Sequence, residues 1–414
     1  MSNSNIVLVA GSVDLNDGVN TFLVGARLGA PLREREQLGG PGVDIAAAGA
    51  LDESAWVEST FRVAVAGADV DDVMARVDAI AAELRAAADW TIGLRGSAYT
   101  GRLRVKLGQC VEVPLEYPWD VRVMNAARTQ VEISILREPW VYGATSTLYS
   151  QQAVSIPCVL DLSGMTGDAP APLKLLIDGG AAGPHQLVAG VYPQSPVPAT
   201  KFIIRAVGLS WTGGQAAADT SGYPDGTGNT VWRTPAETGV YAQIDVTDYA
   251  PGTYAVFANA KRDAGCESAL VEVYAGDYRP VAIESTQLRR HLLGVVSLPT
   301  RRVRGAASST LKVGLRADDL YYAALNTIEL VPCHAGLIGW HHPVDSVAAQ
   351  KLRWEDGVVY ADDVASSAHA LGGRDLRARG GTLVVIGEKT SAAPTMSAAV
   401  SVEYDPRWEQ LPSA

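Results

Sequence analysis

The feature that most constrains the fold is a series of short segments in which apolar and polar residues alternate, each ended by glycine, proline or a polar turn. Leu103, Val105 and Leu107 alternate with Arg102, Arg104 and Lys106, and Val131, Ile133 and Ile135 alternate with polar neighbours. A period of two places every second side chain on one face of a strand, so such segments are half-buried strands. Forty-one glycines and 22 prolines punctuate them without a period, which excludes collagen-like repeats and favours many turns. Asn16-Asp17-Gly18 is the sharpest turn signal, between Ile6–Val9 and Val19–Val24.

One segment departs from this period. Val70, Val73, Met74, Val77, Ile80, Ala81 and Leu84 recur at helical spacing, which predicts a helix over about 69–87 with an apolar stripe turned to a sheet. Asp69 suits its N-cap, Asp71 and Asp72 the positive end of its dipole, and Arg85 the negative end. The expected fold is therefore mainly β with one clear helix: a β-sandwich or split-barrel-like N-terminal domain over 1–145, then a jelly-roll β-sandwich over 150–335. A β segment over 336–414 is expected to complete a sheet or pack on an earlier domain. The polar, small-residue stretch from Tyr142 to Gln152 marks the first boundary.

Composition narrows the function. A chain of 414 residues that is 47% hydrophobic can bury several cores. A net charge of −11 argues against a general nucleic-acid or anionic-membrane binder. No apolar run approaches the length of a membrane span, and the N-terminus lacks a basic region followed by an apolar core, so neither membrane insertion nor a sorting signal is expected. Cys110, Cys158, Cys266 and Cys333 are far apart with no CxxC pair, which reads as free thiols.

No catalytic motif of the serine-hydrolase, zinc-protease, P-loop or dinucleotide type occurs. His334, His341 and His342 lie close together, but neighbouring strand residues point to opposite faces, and a polar connector is the reading. Asp219, Asp225 and Asn229 lie in a glycine-rich loop over 213–230 whose spacing fits no calcium loop. Glu355-Asp356 and Asp362-Asp363 read as solvated turn acids. No catalytic residue, metal or cofactor is therefore expected. Arg289-Arg290 and Arg301-Arg302-Val303-Arg304 read as a solvated strand face, with an intersubunit salt-bridge surface as the alternative. Trp211, Tyr223 and Trp232 flank the glycine-rich loop and are the candidate carbohydrate-binding residues, against core packing as the alternative. Arg33, Glu34, Arg35 and Glu36 open a Gly/Ala-rich stretch that reads as an oligomerisation arm.

The order of these segments resembles the distal tail proteins of long-tailed bacteriophages. In the first 143 residues the resemblance is carried by Leu15-Asn-Asp-Gly-Val19, Gly39-Gly-Pro-Gly42, the strand and helix from Val63 to Leu84, and Arg137-Glu-Pro-Trp-Val-Tyr-Gly143. Gly167-Asp-Ala-Pro-Ala-Pro172, Pro251-Gly-Thr-Tyr-Ala-Val256 and Asn326-Thr-Ile-Glu-Leu-Val-Pro332 are similar to the jelly-roll, carbohydrate-binding-like domains of such tail proteins. Arg379 to Trp408 resembles their final hairpin. The resemblance implies a virion subunit of the tail tip, a distal or minor tail protein, with no enzymatic activity. It implies a homo-oligomeric ring, six copies by analogy, contacting tail tube, tape measure, and hub or fibre proteins. A host-surface glycan is the further partner it suggests. The alternatives are a carbohydrate-binding adhesion module without a tube-connecting role, and a glycan-cleaving enzyme.

Overall fold

The computed structural model describes residues 5–28, 56–86, 89–95, 100–110, 127–180, 183–218, 230–234, 239–274, 278–298, 300–301, 307–308, 310–318, 321–333, 335–342, 349–355, 357–366, 370–372, 376–389 and 396–408. The protein is mainly β, with one α-helix among the described residues, and every strand pair described is antiparallel. It divides into two compact units. The first comprises Met1–Thr145, Thr166–Ala169 and Asp405–Ala414; the second comprises Ser146–Met165 and Pro170–Tyr404.

The sheet of the first unit runs in the order Val13–Asp14, Ile6–Ala10, Asp89–Leu94, Thr100–Cys110, Arg128–Arg137, Val57–Ala66, Thr21–Arg27, an open path rather than a closed barrel. Its inward residues, Leu8, Phe61, Val63, Val65, Trp90, Ile92, Leu103, Ile133 and Ile135, form one core with the helix Val70–Ala86. Val73, Val77, Ile80 and Leu84 are the buried helical side chains, while Val70, Met74 and Ala81 flank them half-buried. Burying those four contributes roughly 6–12 kcal/mol before the entropy of ordering is charged against it. Asp69 accepts the Asp72 N–H at 2.9 Å, and Asp72 in turn accepts the Ala68 N–H at 2.9 Å. The first bond satisfies one of the first turn's free donors, and the second ties down the residue that precedes the cap.

The Asn16–Gly18 turn is held by one carboxylate. Asp17 Oδ1 accepts the N–H groups of Val19, Asn20 and Thr21 at 2.7, 2.7 and 2.8 Å. Gly18 takes a φ of +78°, open to glycine at no steric cost.

The same unit is closed by the far end of the chain. Arg407–Trp408 pairs with Val141–Tyr142, and Thr145 Oγ1 donates to Asp405 at 2.6 Å. Arg104 donates to Asp405 at 2.9 Å and lies 4.2 Å over the Tyr142 ring, with Arg407 5.3 Å from the same ring. Arg137, 1% exposed, donates to Ser59 Oγ at 2.8 Å and to the carbonyls of Glu138 and Trp140 at 2.7 and 3.2 Å. Burial lowers its pKa to about 10.

The second unit stacks four larger sheets beside a two-stranded ribbon of Thr300–Arg301 and Ala307–Ser308. The first sheet holds Ser146–Ile156, Met396–Tyr404, Ala171–Asp178, Lys351–Glu355, Val358–Ala361 and Val364–Ala365. It shares a core with the second sheet: Cys158–Asp161, Thr382–Lys389, Pro184–Tyr192, Leu337–His341 and Ala370–Gly372. The third sheet holds Gln215–Ala218, Thr230–Arg233, Ala323–Pro332, Gly252–Arg262 and Arg289–Leu298. It shares another core with the fourth: Val240–Asp245, Thr310–Ala317, Ala269–Tyr274 and Tyr278–Ala282. The two inner sheets also meet, through Val188 and Ile386 against Ala255, Phe257 and Val331.

That layering accounts for two runs without a two-residue period. Thr382–Lys389 and Ala323–Pro332 belong to inner sheets covered on both faces, and every residue of Ala323–Pro332 is buried. It also sets the connectivity. Pro184–Tyr192 and Leu337–His341 are paired neighbours, Gly190 opposite Leu337, and the whole second sandwich lies between them in sequence. Residues 337–404 therefore share sheets with 146–192.

Candidate functional site

Trp211 and Trp232 come together, at the edge of the second sandwich. Their rings stack at 5.7 Å with planes 11° apart. Trp232 stands opposite Leu325 and Trp211 opposite Ala242; both partners are buried core residues, one in each sheet. The indole N–H groups donate to the carbonyls of Gly213 (3.0 Å) and Ala206 (2.7 Å). Each ring thus spends one face on the other and its polar atom on the backbone, an arrangement that closes the edge of a core. Tyr223, the rest of the loop over 219–229, and Arg33, Glu34, Arg35 and Glu36 lie outside the described residues.

The arginine pair is buried rather than solvated at one of its two positions. Arg290 Nε and Nη2 donate to the two Glu329 oxygens at 2.5 and 3.1 Å, and both side chains are completely buried. Thr327 Oγ1 donates to the same carboxylate at 3.2 Å. Arg289 pairs with Glu388 at 2.7 Å, and Glu388 also accepts the Arg290 N–H at 3.1 Å. Glu388 belongs to the second sheet and Arg289 to the third, so this pair spans the junction of the two sandwiches. Arg302 and Arg304 are outside the described residues, as is the Arg301 side chain.

The acidic candidates are structural in their surroundings. Glu355 pairs with Lys174 at 3.1 Å and with Arg353. The Lys174 hydrogen bond, foremost, holds its carboxyl below the usual range. Asp362 accepts the Lys351 N–H at 2.8 Å in a tight turn, and Asp363 is largely exposed. His341 lies 5.0 Å from His185, edge to face, and His342 lies 6.0 Å from Trp340; His334 is outside the described residues. Among the described residues no group of three or more His, Cys, Asp or Glu side chains is placed to hold a metal. Cys158, Cys266 and Cys333 are free thiols, and burial pushes the Cys158 thiol up to about 12.

A cluster that the sequence reading passed over lies on the outer face of the fourth sheet. Register places Tyr241, Gly314 and Glu272 in one row, and Gln243, Lys312 and Tyr274 in the next. The rings of Tyr241 and Tyr274 are 5.9 Å apart at 59°. Lys312 Nζ sits 4.1 Å from the Tyr241 centroid and 5.4 Å from that of Tyr274. Tyr274 donates to Glu272 Oε2 at 2.9 Å, and Glu272 is 1% exposed. Burial, followed by the bonds to Tyr241 and Glu272, drives the Tyr274 hydroxyl well above its ordinary pKa. The signal was the alternation in Thr310–Ala317, whose outward positions hold Lys312 and Gly314.

No protein-family model matches the chain, and no curated protein is similar to it. Among solved structures, the Dit protein of phage SPP1, titled a paradigm of the hub adsorption apparatus in phages infecting Gram-positive hosts, is 12% identical. That match covers 78% of this chain and 98% of the Dit chain, with a TM-score of 0.30. A chain of the phage p2 baseplate in its activated conformation is 8% identical over 96% of this chain and 97% of its own, with a TM-score of 0.30. A ruminal endo-β-1,4-mannanase is 16% identical over 34% of this chain, with a TM-score of 0.23; the match spans only 27% of the enzyme. These likenesses are distant in both sequence and overlay, and no activity is taken from them.

Proposed function

We propose that the protein is a structural subunit of a phage tail tip, of the distal or minor tail kind, that assembles into a homo-oligomeric ring joining the tail tube to the host-recognition parts. The observation that carries this reading is the nested chain path. The first unit is built from both ends of the chain, with Arg407–Trp408 paired to Val141–Tyr142, and nearly all of 146–404 is an insertion into it. Pairing of the two ends lets a base unit carry a large insert without interrupting its own sheet. The segment order read from the sequence is of the same kind. The polar clusters among the described residues are ion pairs, turn bonds and ring contacts that hold strands together, consistent with assembly rather than catalysis. Tail tube, tape measure, and hub or fibre proteins are the partners this reading entails, and the virion tail is its location.

Mass photometry of the purified chain, followed by negative-stain microscopy, tests it. The expected result is a closed ring, six copies by analogy. A protein that stays monomeric up to tens of micromolar, and appears as a lone copy in a map of its own particle, removes the ring.

A further inference from the structure

We infer that the outer edge of Arg289–Leu298 is a contact surface for a second copy of this chain, the two strands pairing antiparallel about a two-fold axis. The inference goes beyond the ring reading and does not rest on it. A ring is closed by two different patches, whereas this contact joins a patch to itself.

Arg289–Leu298 is the last strand of the third sheet, and among the described residues its one ladder is with Gly252–Arg262. The backbone groups on its far side therefore point away from the sheet, where another strand can meet them. Natural sheets blunt such edges with lysine, proline, inward charge or a bulge. No charge or proline occurs from Leu292 to Leu298. A bulge does occur, and it brings two exposed apolar side chains onto one face. Residues three apart in a regular strand point to opposite faces. Here Leu292 stands opposite Phe257 and Gly294 opposite Val256, which leaves Leu293 as the extra residue. Val295 then stands opposite Ala255, so Leu292 and Val295 share the face of Phe257 and Ala255. Gly294 takes up the irregularity at a φ of +130°.

Ala255 and Phe257 belong to the apolar cluster where the two inner sheets meet. Leu292, 52% exposed, and Val295, 47% exposed, carry that surface out to the edge. A two-fold axis perpendicular to the sheet keeps each face on its own side. Antiparallel pairing centred near Gly294 thus sets Leu292 and Val295 beside the same two residues of the partner, in one continuous strip.

The charges at the two ends of the strand select this partner and this direction. At the Arg289 end, Arg262 N–H donates to the Ser285 carbonyl at 2.9 Å, and Asp318 N–H donates to the Ser268 carbonyl at 3.1 Å. These bonds gather Asp263, Glu267, Glu284 and Asp318 there, against Lys261 and Arg262. The Arg262 guanidinium is itself spent on the carbonyls of Glu284 and Cys266. Beyond Leu298 the chain carries Arg301, Arg302 and Arg304, with no acid between Pro299 and Thr310. An antiparallel neighbour sets the acidic end of one copy against the basic end of the other, at both ends of the contact. Charge order of this kind fixes register and direction more than affinity. An unrelated strand would have to match both the apolar strip and the charge order; a second copy matches both by symmetry. One strand edge makes a contact at the small end of specific interfaces, below about 1,200 Å², so a dissociation constant on the order of 10–100 µM is expected.

Sedimentation velocity of the full chain from about 2 to about 300 µM, in low and in high salt, tests the contact. Whatever species is present at low concentration, monomer or ring, should pair with itself as concentration rises, and less so in high salt. Leu292→Lys combined with Val295→Lys should abolish the pairing while the melting temperature stays with the parent, since both side chains are exposed. Val295→Lys alone should weaken it about tenfold, and it decides the matter if the double variant folds poorly. Sedimentation that does not change with concentration, or pairing that survives both lysines or is unchanged by salt, overturns the contact. The species at low concentration, untouched by either lysine, still reports on the ring, so the two readings fail separately.

Discussion

Replacing Glu329 by Leu leaves the Arg290 guanidinium in the interior without its bidentate partner. Both side chains are completely buried, joined at 2.5 and 3.1 Å, and Thr327 adds a third bond to the carboxylate. Breaking a buried pair from one side costs about 3–5 kcal/mol, because the remaining charge keeps its desolvation penalty and loses the attraction that offset it. At roughly 2–4 °C per kcal/mol for a unit of this size, the second unit should melt about 6–20 °C lower. The double replacement Arg290→Met with Glu329→Leu removes both charges in similar volume, and it should recover most of that loss. Calorimetry of the parent, both single variants and the double variant measures the coupling directly. Single variants that melt within a degree of the parent would mean that the pair is solvated and that the layering of the two inner sheets is wrong.

Three further outcomes are expected. Val77→Asp places a carboxylate in the helix–sheet core and should destabilise the first unit by several kcal/mol; an unchanged denaturation midpoint would move the helix elsewhere. Asp17→Asn weakens the acceptor for three backbone N–H groups, at a cost of about 1–2 kcal/mol at neutral pH. Burial by itself raises the Asp17 pKa, but the bonds from Thr21, Val19 and Asn20 outweigh it and the net shift is downward. The carboxylate's contribution is therefore complete above the ordinary carboxylate range and fades as pH falls through the lowered value. Unfolding of parent and variant should converge in acid, below the ordinary carboxylate range, and a difference that grows in acid would contradict the turn geometry. Deleting Arg33 to Ala48 should abolish the ring while the second unit keeps its melting transition; mass photometry showing the same oligomer would mean that this segment is not the clasp.

The site was only partly legible in the sequence. Trp211 and Trp232 stand out in the sequence because they flank a glycine-rich loop, and their stacking depends on a contact between two sheets that neither neighbourhood encodes. Arg289 and Arg290 were visible as a basic pair. Their partners Glu388 and Glu329 were not, since each lies dozens of residues away and inside an apolar run. Tyr241, Tyr274 and Lys312 were invisible as a group, because each is an ordinary outward residue of its own strand until register sets the three side by side.

What the sequence determined by itself is whatever repeats within a turn or a strand. A period of 3.6 put Val73, Val77, Ile80 and Leu84 on one helical face, a period of two put Leu103 and Val105 under their sheet, and Asn16-Asp17-Gly18 specified a turn. Those patterns arise from backbone geometry and need no distant partner. Tertiary structure alone decided that Ala171–Asp178 pairs with Met396–Tyr404, that the chain of one sandwich is inserted within that of the other, and that Arg407–Trp408 returns to Val141–Tyr142. Strand pairing is selected among many apolar faces of similar hydrophobicity by which combination buries all of them at once. That choice is a property of the whole chain and has no local period to reveal it.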